Sequence, residues 1–191
     1  MYLDAEKEAK KEYILSVCFE TFMELGLEKT SMRDLCDANG FGSATMYYYF
    51  PSKDDIVCQC VQYERKRTAD ALEKILSEAI ASHNIENLFD SLISLADEHR
   101  SKFNFILQVV CSPHYKQIIQ PTENDDCRWD KYIQVLSNAM NIKFEKLKPI
   151  CYLAYCTIIN YIIDKNRTLI HLQFDYLKNQ IMNLVNNQIN L

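Results

Sequence analysis

A chain of 191 residues, 48% hydrophobic and 25% charged, has the composition of an ordinary globular protein that can bury a core. Its formal net charge of −5 argues against a protein that binds nucleic acid through bulk positive charge alone. The longest apolar run, from Ile150 to Ile163, is too short to cross a bilayer, so it predicts a buried helix and no membrane partner.

Turn residues are scarce in this chain. Three glycines and four prolines occur, whereas average usage of about 7% and about 5% would give roughly 23 residues of these two types. All three glycines lie between residues 26 and 42, so the rest of the chain must be connected without a residue that readily adopts positive φ. Long helices with few turns satisfy this constraint, and we predict an all-α fold of about nine helices.

The first predicted helix runs from Glu6 to Leu25. Its apolar residues recur at the spacing of one helix face packed on a core: Ile14, Val17, Cys18, Phe22 and Leu25. Gly26 occupies the position that ends it. A second, short helix follows, with Thr30 or Ser31 as its N-cap residue and the Asn39-Gly40 pair at its end.

A tight turn leads to a third short helix, from Ser43 to Phe50, with Met46 on its buried side. Pro51 stops this helix, and Ser52 caps a long fourth helix that runs towards Ile80. Two short helices joined by a turn containing glycine, with another helix bracing them, form a helix-turn-helix arrangement, here at about residues 31–50.

Five further helices are predicted in the remainder of the chain. They lie at about 85–99, 101–112, 123–140, 145–164 and 167–189, with Pro113 and Pro121 flanking an irregular joint. The last of them carries a single apolar stripe, whereas the one before it is apolar nearly all round. Paired in two chains, these two helices would build the four-helix interface of a homodimer. The stripe residues predicted at this interface are Phe174, Leu177, Ile181 and Leu184.

The stretch from Thr30 to Lys53 resembles the DNA-binding motif of the TetR family over its whole length. The shared features are the Thr-Ser-Met-Arg-Asp-Leu start, the Asn-Gly turn, the segment Thr45 to Phe50, and the Pro-Ser-Lys that opens the next helix. The resemblance implies an N-terminal three-helix helix-turn-helix DNA-binding domain in residues 1–53. It also implies a C-terminal helical ligand-binding and dimerisation domain in residues 54–191.

The family resemblance implies a sequence-specific transcriptional regulator in the cytoplasm, by default a repressor. It would bind a palindromic operator in double-stranded DNA as a homodimer, and a small-molecule effector of unidentified chemistry would release it. Two alternatives stay open. One is an interaction protein with the same fold and no specific DNA binding, which the six basic and nine acidic residues of the first 53 favour. The other is an enzyme, against which stands the absence of a nucleophile elbow, a phosphate loop or a histidine-centred triad, so no catalytic residue is predicted.

The chemistry of the motif agrees with DNA contact. Hydroxyl and phenol groups on a short helix that starts at Ser43 can reach phosphates and base edges, and the small Ala44 permits close approach. Thr30 and Lys53, each at the start of a helix, are expected to hold phosphate oxygens, and Arg33 is expected to contact a guanine. With the positions that the family resemblance implies, the predicted DNA-binding residues are Thr30, Ser31, Arg33, Ser43, Ala44, Thr45, Tyr47, Tyr48, Tyr49 and Lys53.

Two details of the motif stay open. Where the family most often has Ser-Lys before the recognition helix, this chain has Gly42-Ser43, so it lacks one phosphate-binding lysine per chain. Ser43 can then act as the N-cap residue, which would begin the helix one residue later. Tyr49 either contacts DNA or packs inward with Phe50 while the other two tyrosines face out.

The resemblance also implies a ligand pocket among the helices after residue 53. Plain core packing is the alternative for each residue of its predicted lining: Phe89, Phe103, Phe105, Trp129, Tyr132 and Tyr155. His99 and His114 lack metal-ligand spacing, so neither a metal nor another cofactor is predicted. The eight cysteines lie mostly within apolar helical patterns, which is typical of reduced thiols, and whether any of them is a redox sensor stays open.

Overall fold

The computed structural model describes residues 2–82, 85–119 and 123–189, and these form ten helices and no strand. The all-α prediction is therefore confirmed, with helix ends close to those expected. The helices are α1 (Tyr2–Leu25), α2 (Met32–Asn39), α3 (Ser43–Tyr49), α4 (Lys53–Ser82), α5 (Ile85–Glu98), α6 (Arg100–Cys111), α7 (Pro113–Ile118), α8 (Glu123–Met140), α9 (Phe144–Asp164) and α10 (Arg167–Ile189). Within these ranges no helix is both long and apolar enough to span a membrane.

The tenth helix, α7, lies where an irregular joint was predicted. Its first residue is Pro113, whose fixed φ and missing N–H suit the first turn of a helix. Ser112 precedes it with an extended backbone, and Ile119 ends it with another. Proline therefore starts a helix here instead of only ending one. Pro121, the other residue predicted to flank the joint, lies outside the described residues.

The chain divides into two compact units. The first unit consists of Met1–Thr68 with Phe105–Gln120, and the second of Ala69–Asn104 with Pro121–Leu191. The first unit therefore contains the helix-turn-helix segment, the beginning of α4, the end of α6 and the whole of α7. The functional division at residue 53 stays a prediction, because compactness alone does not say which residues bind DNA.

The core of the first unit is built on the apolar face of α1. Phe19 and Phe22 pack against Phe105, with ring centroids 5.0 and 5.8 Å away. To the same core, α2 contributes Leu35 and α3 contributes Met46, and both side chains are fully buried. Phe105 is therefore a core residue of the first unit, which corrects its prediction as a lining residue of a ligand pocket in the later helices.

In the second unit, α9 packs against α5, α8 and α10. Asp97, at the end of α5, accepts hydrogen bonds from the Tyr161 hydroxyl (2.6 Å) and the Arg100 guanidinium (2.8 Å). Arg100 also donates to the carbonyl oxygens of Tyr161 and Ile162, which lie in the last turn of α9. The Tyr161 hydrogen bond and the neighbouring arginines lower the pKa of Asp97. This network secures the turn that leads into α10.

The predicted dimer stripe of α10 is buried inside its own chain. Phe174 and Leu177 are 1% and 2% exposed, and Ile181 is 6% exposed. The Phe174 ring lies 4.7 Å from the ring of Phe89, which comes from α5. The assignment of these residues to a dimer interface is therefore wrong for the three, because their side chains are already covered by α5 and α9. Leu184 is half-buried.

Candidate nucleic-acid interface

Local interactions determine the turn between α2 and α3. Gly40 adopts the left-handed conformation (φ +67°), where a side chain would be strained, and its N–H donates to the carbonyls at the end of α2. The Phe41 N–H then donates to Cys36 O at 3.0 Å, and the Phe41 side chain packs against the core. Gly42 is the N-cap residue of α3 and Ser43 is its first residue, so the alternative in which Ser43 caps the helix is not adopted.

The short helix α3 has one buried and one exposed side. Met46 is fully buried, as is Phe50 directly after the helix, so these two residues anchor α3 on the core. Tyr49 is half-buried and packs against the same core, which supports the inward alternative for this residue. The exposed residues of α3 are Ser43, Ala44, Thr45, Tyr47 and Tyr48, and the last two are 52% and 68% exposed.

The start of α2 separates the roles of Thr30 and Ser31. Ser31 is the N-cap residue: its hydroxyl accepts from the Asp34 N–H, and its own N–H donates to the Asp34 carboxylate. The Ser31 hydroxyl also donates to the Asp34 carboxylate at 2.6 Å, and this bond, followed by the one from the Ser31 N–H, lowers the pKa of Asp34. Thr30 is 2% exposed, and its hydroxyl donates to Gly26 O. The predicted side-chain contact of Thr30 with phosphate has no support in this geometry, whereas Arg33 is exposed, with Asp37 3.8 Å away.

Lys53, like Thr30, forms a hydrogen bond within the chain. Its Nζ donates to Leu27 O at 2.6 Å, and this bond joins the start of α4 to the segment after α1. The next residue, Asp54, lies 2.9 Å from His114 Nε2 of α7. Burial, followed by the Asp54 charge, raises the pKa of the neighbouring Tyr115 to about 12. The first turn of α4 is therefore held on two sides.

Basic residues of α1 that the sequence argument did not single out lie beside the motif. Lys7 Nζ is 5.1 Å from the centre of the Tyr48 ring, and Lys10 Nζ is 4.6 Å from that of Phe41. Lys11 Nζ lies 5.8 Å from the Phe50 ring. The i, i+3, i+4 spacing of these lysines in the sequence indicates that they share one face of α1. The spacing does not indicate which residues that face contacts.

The residues predicted to line a ligand pocket do not form one cluster. Three of them meet in the second unit, where the Trp129 ring lies 5.2 Å from Tyr155 and 6.4 Å from Tyr132. Phe89 is part of the core beside Phe174, and Phe103 is half-buried on α6. The predicted pocket is therefore reduced to the three aromatic residues of α8 and α9, which we name the aromatic cluster.

A cavity of about 510 Å³ lies elsewhere in the second unit, between α4 and α5. None of the predicted pocket residues lines it. Its walls are largely polar or acidic: Ile75, Glu78, Ala79, Ser82, Asn87, Asp90, Ser91, Ser94, Leu95 and Glu98. In the described part of the chain, no three histidine, cysteine or acidic side chains come together as a potential metal-binding group.

Comparison with known proteins supports the helix-turn-helix assignment. Residues 14–60 match the sequence model of the family described as "Bacterial regulatory proteins, tetR family". The chain is 21% identical over 108 residues to the HTH-type transcriptional regulator UidR of Escherichia coli K12, across 56% of this chain and 54% of UidR. It is 35% identical over 51 residues to the HTH-type transcriptional repressor KstR2 of Rhodococcus jostii, across 27% of this chain and 25% of KstR2.

The fold as a whole has a counterpart among solved structures. Thermus thermophilus FadR, a TetR family transcriptional repressor in complex with lauroyl-CoA, superposes with a TM-score of 0.55 at 12% identity. The superposition covers 90% of this chain and 93% of FadR, so it includes the helices after the motif. By sequence, in contrast, the chain spans about half the length of UidR and a quarter of KstR2.

Proposed function

We propose that this chain, which belongs to the TetR family of bacterial regulatory proteins, is a cytoplasmic transcriptional repressor that binds a palindromic operator as a homodimer and is released by a small-molecule effector. The observation that carries the proposal is the two-sided helix α3. Met46 anchors it on a core, while its other side presents hydroxyl and phenol groups to solvent. Such groups bond phosphates and base edges when a helix enters the major groove.

The second copy of the chain would dock on the exposed apolar faces of α9 and α10. Ile163 and Leu172 are 65% and 63% exposed, and Tyr176 is 60% exposed. Large apolar side chains at neighbouring exposed positions are typical of a protein interface. In a two-fold dimer, one α3 from each chain would contact the same DNA duplex.

The effector site we propose is the aromatic cluster of α8 and α9. Trp129 is half-buried and Tyr155 is 41% exposed, so part of the cluster is open to a ligand with apolar or aromatic groups. FadR, which shares the fold, binds lauroyl-CoA, whose acyl chain has this apolar character. An effector that favours a state in which the two α3 helices no longer match one DNA face would weaken operator binding.

The decisive experiment starts from DNA duplexes selected out of a random pool by the full-length protein. Fluorescence anisotropy then compares wild type with a double variant, Tyr47→Phe/Tyr48→Phe, which loses two phenol hydroxyls per chain. At about 1 kcal/mol for each of four hydrogen bonds in the dimer, affinity should fall by about a thousandfold.

The matched control is Tyr63→Phe, a half-buried phenol on α4 that should leave the affinity unchanged. Failure of the wild-type protein to enrich any sequence would instead support an interaction protein without specific DNA binding. Equal affinity of the double variant and wild type would show that α3 does not enter the groove.

A further inference from the structure

The recognition helix α3 contains no basic residue, but lysines of α1 lie beside it. Lys7 lies against the ring of Tyr48, which is on the exposed side of α3, and Lys10 lies against Phe41 in the turn before α3. Lysine within about 6 Å of a ring centre is attracted by the ring's electron density. Both lysines are exposed, and both come from a helix that precedes the motif.

Helix geometry explains why this side of α1 is basic. At about 100° per residue, Lys7, Lys10 and Lys11 fall within an arc of about 100°, and buried Ile14 lies in the same arc. The acidic residues Glu8 and Glu12 fall outside it, although α1 as a whole carries both signs of charge. The three lysines therefore lie on the same side of α1 as buried Ile14, which packs in the core of the first unit. This shared side explains why the lysines contact the aromatic rings of the motif.

The two cations within the motif itself each have a partner in the chain. Lys53 donates to Leu27 O, and Arg33 has the Asp37 carboxylate beside it. Of the six basic residues among the first 53, three are the α1 lysines, and the sixth, exposed Lys29, precedes the motif. A lysine ammonium group has three N–H donors. When one side of the group faces an aromatic ring, the remaining donors can still bind a second partner.

We propose that Lys7 and Lys10 of α1 bind the DNA phosphates that flank the groove entered by α3, in place of the lysine that this chain lacks at Ser43. The inference rests on the proposed function and adds a second element to the DNA interface. The partner is the sugar-phosphate backbone, which carries no sequence information, so these lysines contribute affinity and orientation to every duplex.

The test measures how operator binding depends on salt. Each neutralised phosphate contributes about −0.9 to the slope of log K against log salt. The double variant Lys7→Gln/Lys10→Gln removes two cations from each chain of the dimer, so the slope should become shallower by about 3 to 4. Affinity for a selected duplex and for a random duplex should fall by the same factor. The control Lys131→Gln/Lys146→Gln removes two exposed lysines from the second unit and should leave the slope unchanged.

Two further measurements separate charge from structure. Lys7→Arg/Lys10→Arg keeps the charges and should keep the slope. Reductive methylation of wild-type protein, read by mass spectrometry, should label Lys7 and Lys10 more slowly when a selected duplex is bound, and this readout requires no variant to fold.

The outcomes distinguish this inference from the proposed function. An unchanged slope in the glutamine variant, or unprotected lysines on bound DNA, would overturn the α1 contact while leaving operator binding intact. A wild-type protein that enriches no duplex would overturn operator binding itself.

Discussion

At the scale of single residues, the partner that each side chain meets decides its role. Thr30 and Thr45 are both threonines of the motif, yet Thr30 is buried with its hydroxyl on Gly26 O, while Thr45 is exposed on α3. Lys53 turns to a backbone carbonyl instead of to solvent. Residue type therefore narrows the candidates for DNA contact, and the local packing selects among them.

The cysteines differ from one another for the same reason. Burial raises the pKa of the Cys18 thiol to about 11 and raises that of Cys60 well above its usual range. Cys111 and Cys156 are exposed. Because the thiolate is the reactive form, a raised pKa makes a thiol less reactive at a given pH.

We predict that iodoacetamide at pH 8 alkylates Cys111 and Cys156 much faster than Cys18. A thiol with a pKa of about 11 is only about 0.1% ionised at pH 8, and burial also keeps the reagent away from Cys18, whereas Cys111 and Cys156 are exposed. Peptide mass spectrometry would follow each site. Urea should remove the difference, whereas rapid labelling of Cys18 in the folded protein would restore it as a candidate redox sensor.

At the scale of elements, α10 shows why an apolar stripe does not identify its partner. The stripe through Phe174 and Ile181 has the spacing of a buried helix face, and it is buried, but by α5 and α9 of the same chain. The nearly opposite face carries Leu172 and Tyr176 and is exposed. It is this second face that we expect to contact the other chain.

Aspartate substitutions on the two faces of α10 should therefore have different effects. Ile181→Asp places a carboxylate in the core, and we expect it to lower the free energy of unfolding by about 3 kcal/mol or more. Leu172→Asp should leave the chain folded and separate the dimer, as measured by circular dichroism and sedimentation velocity. His171→Asp, at an exposed position on another side of the helix, is the control. A folded, dimeric Leu172→Asp protein would place the interface elsewhere.

At the scale of the whole molecule, two-fold symmetry constrains the DNA. Two recognition helices in one dimer must enter successive major grooves about 34 to 36 Å apart, so the selected operator should be an approximate palindrome. Hydroxyl-radical footprinting should show both half-sites protected together. Protection of one asymmetric half-site by a single chain would contradict the dimeric arrangement.

Helix content and helix ends were predictable from the amino-acid sequence because they depend on interactions between residues close together in the chain. Ser31 caps α2 through Asp34, three residues away, and Gly40 ends it by adopting positive φ. The position of α3 followed from the same local signals and from the family resemblance. The start of α7 at Pro113 was missed because proline both ends and begins helices.

Contacts between residues far apart in the sequence were decided only by the tertiary structure. Phe105 packs against Phe19 in the core of the first unit. The Lys53 ammonium group donates a hydrogen bond to the carbonyl oxygen of Leu27, and that of Lys7 lies over the ring of Tyr48. Apolar spacing determines which face of a helix is buried, but not which helix covers it, because many partners bury the same area equally well. Which helix covers each face depends on how all the helices pack together, and that packing also determines which basic residues lie beside α3.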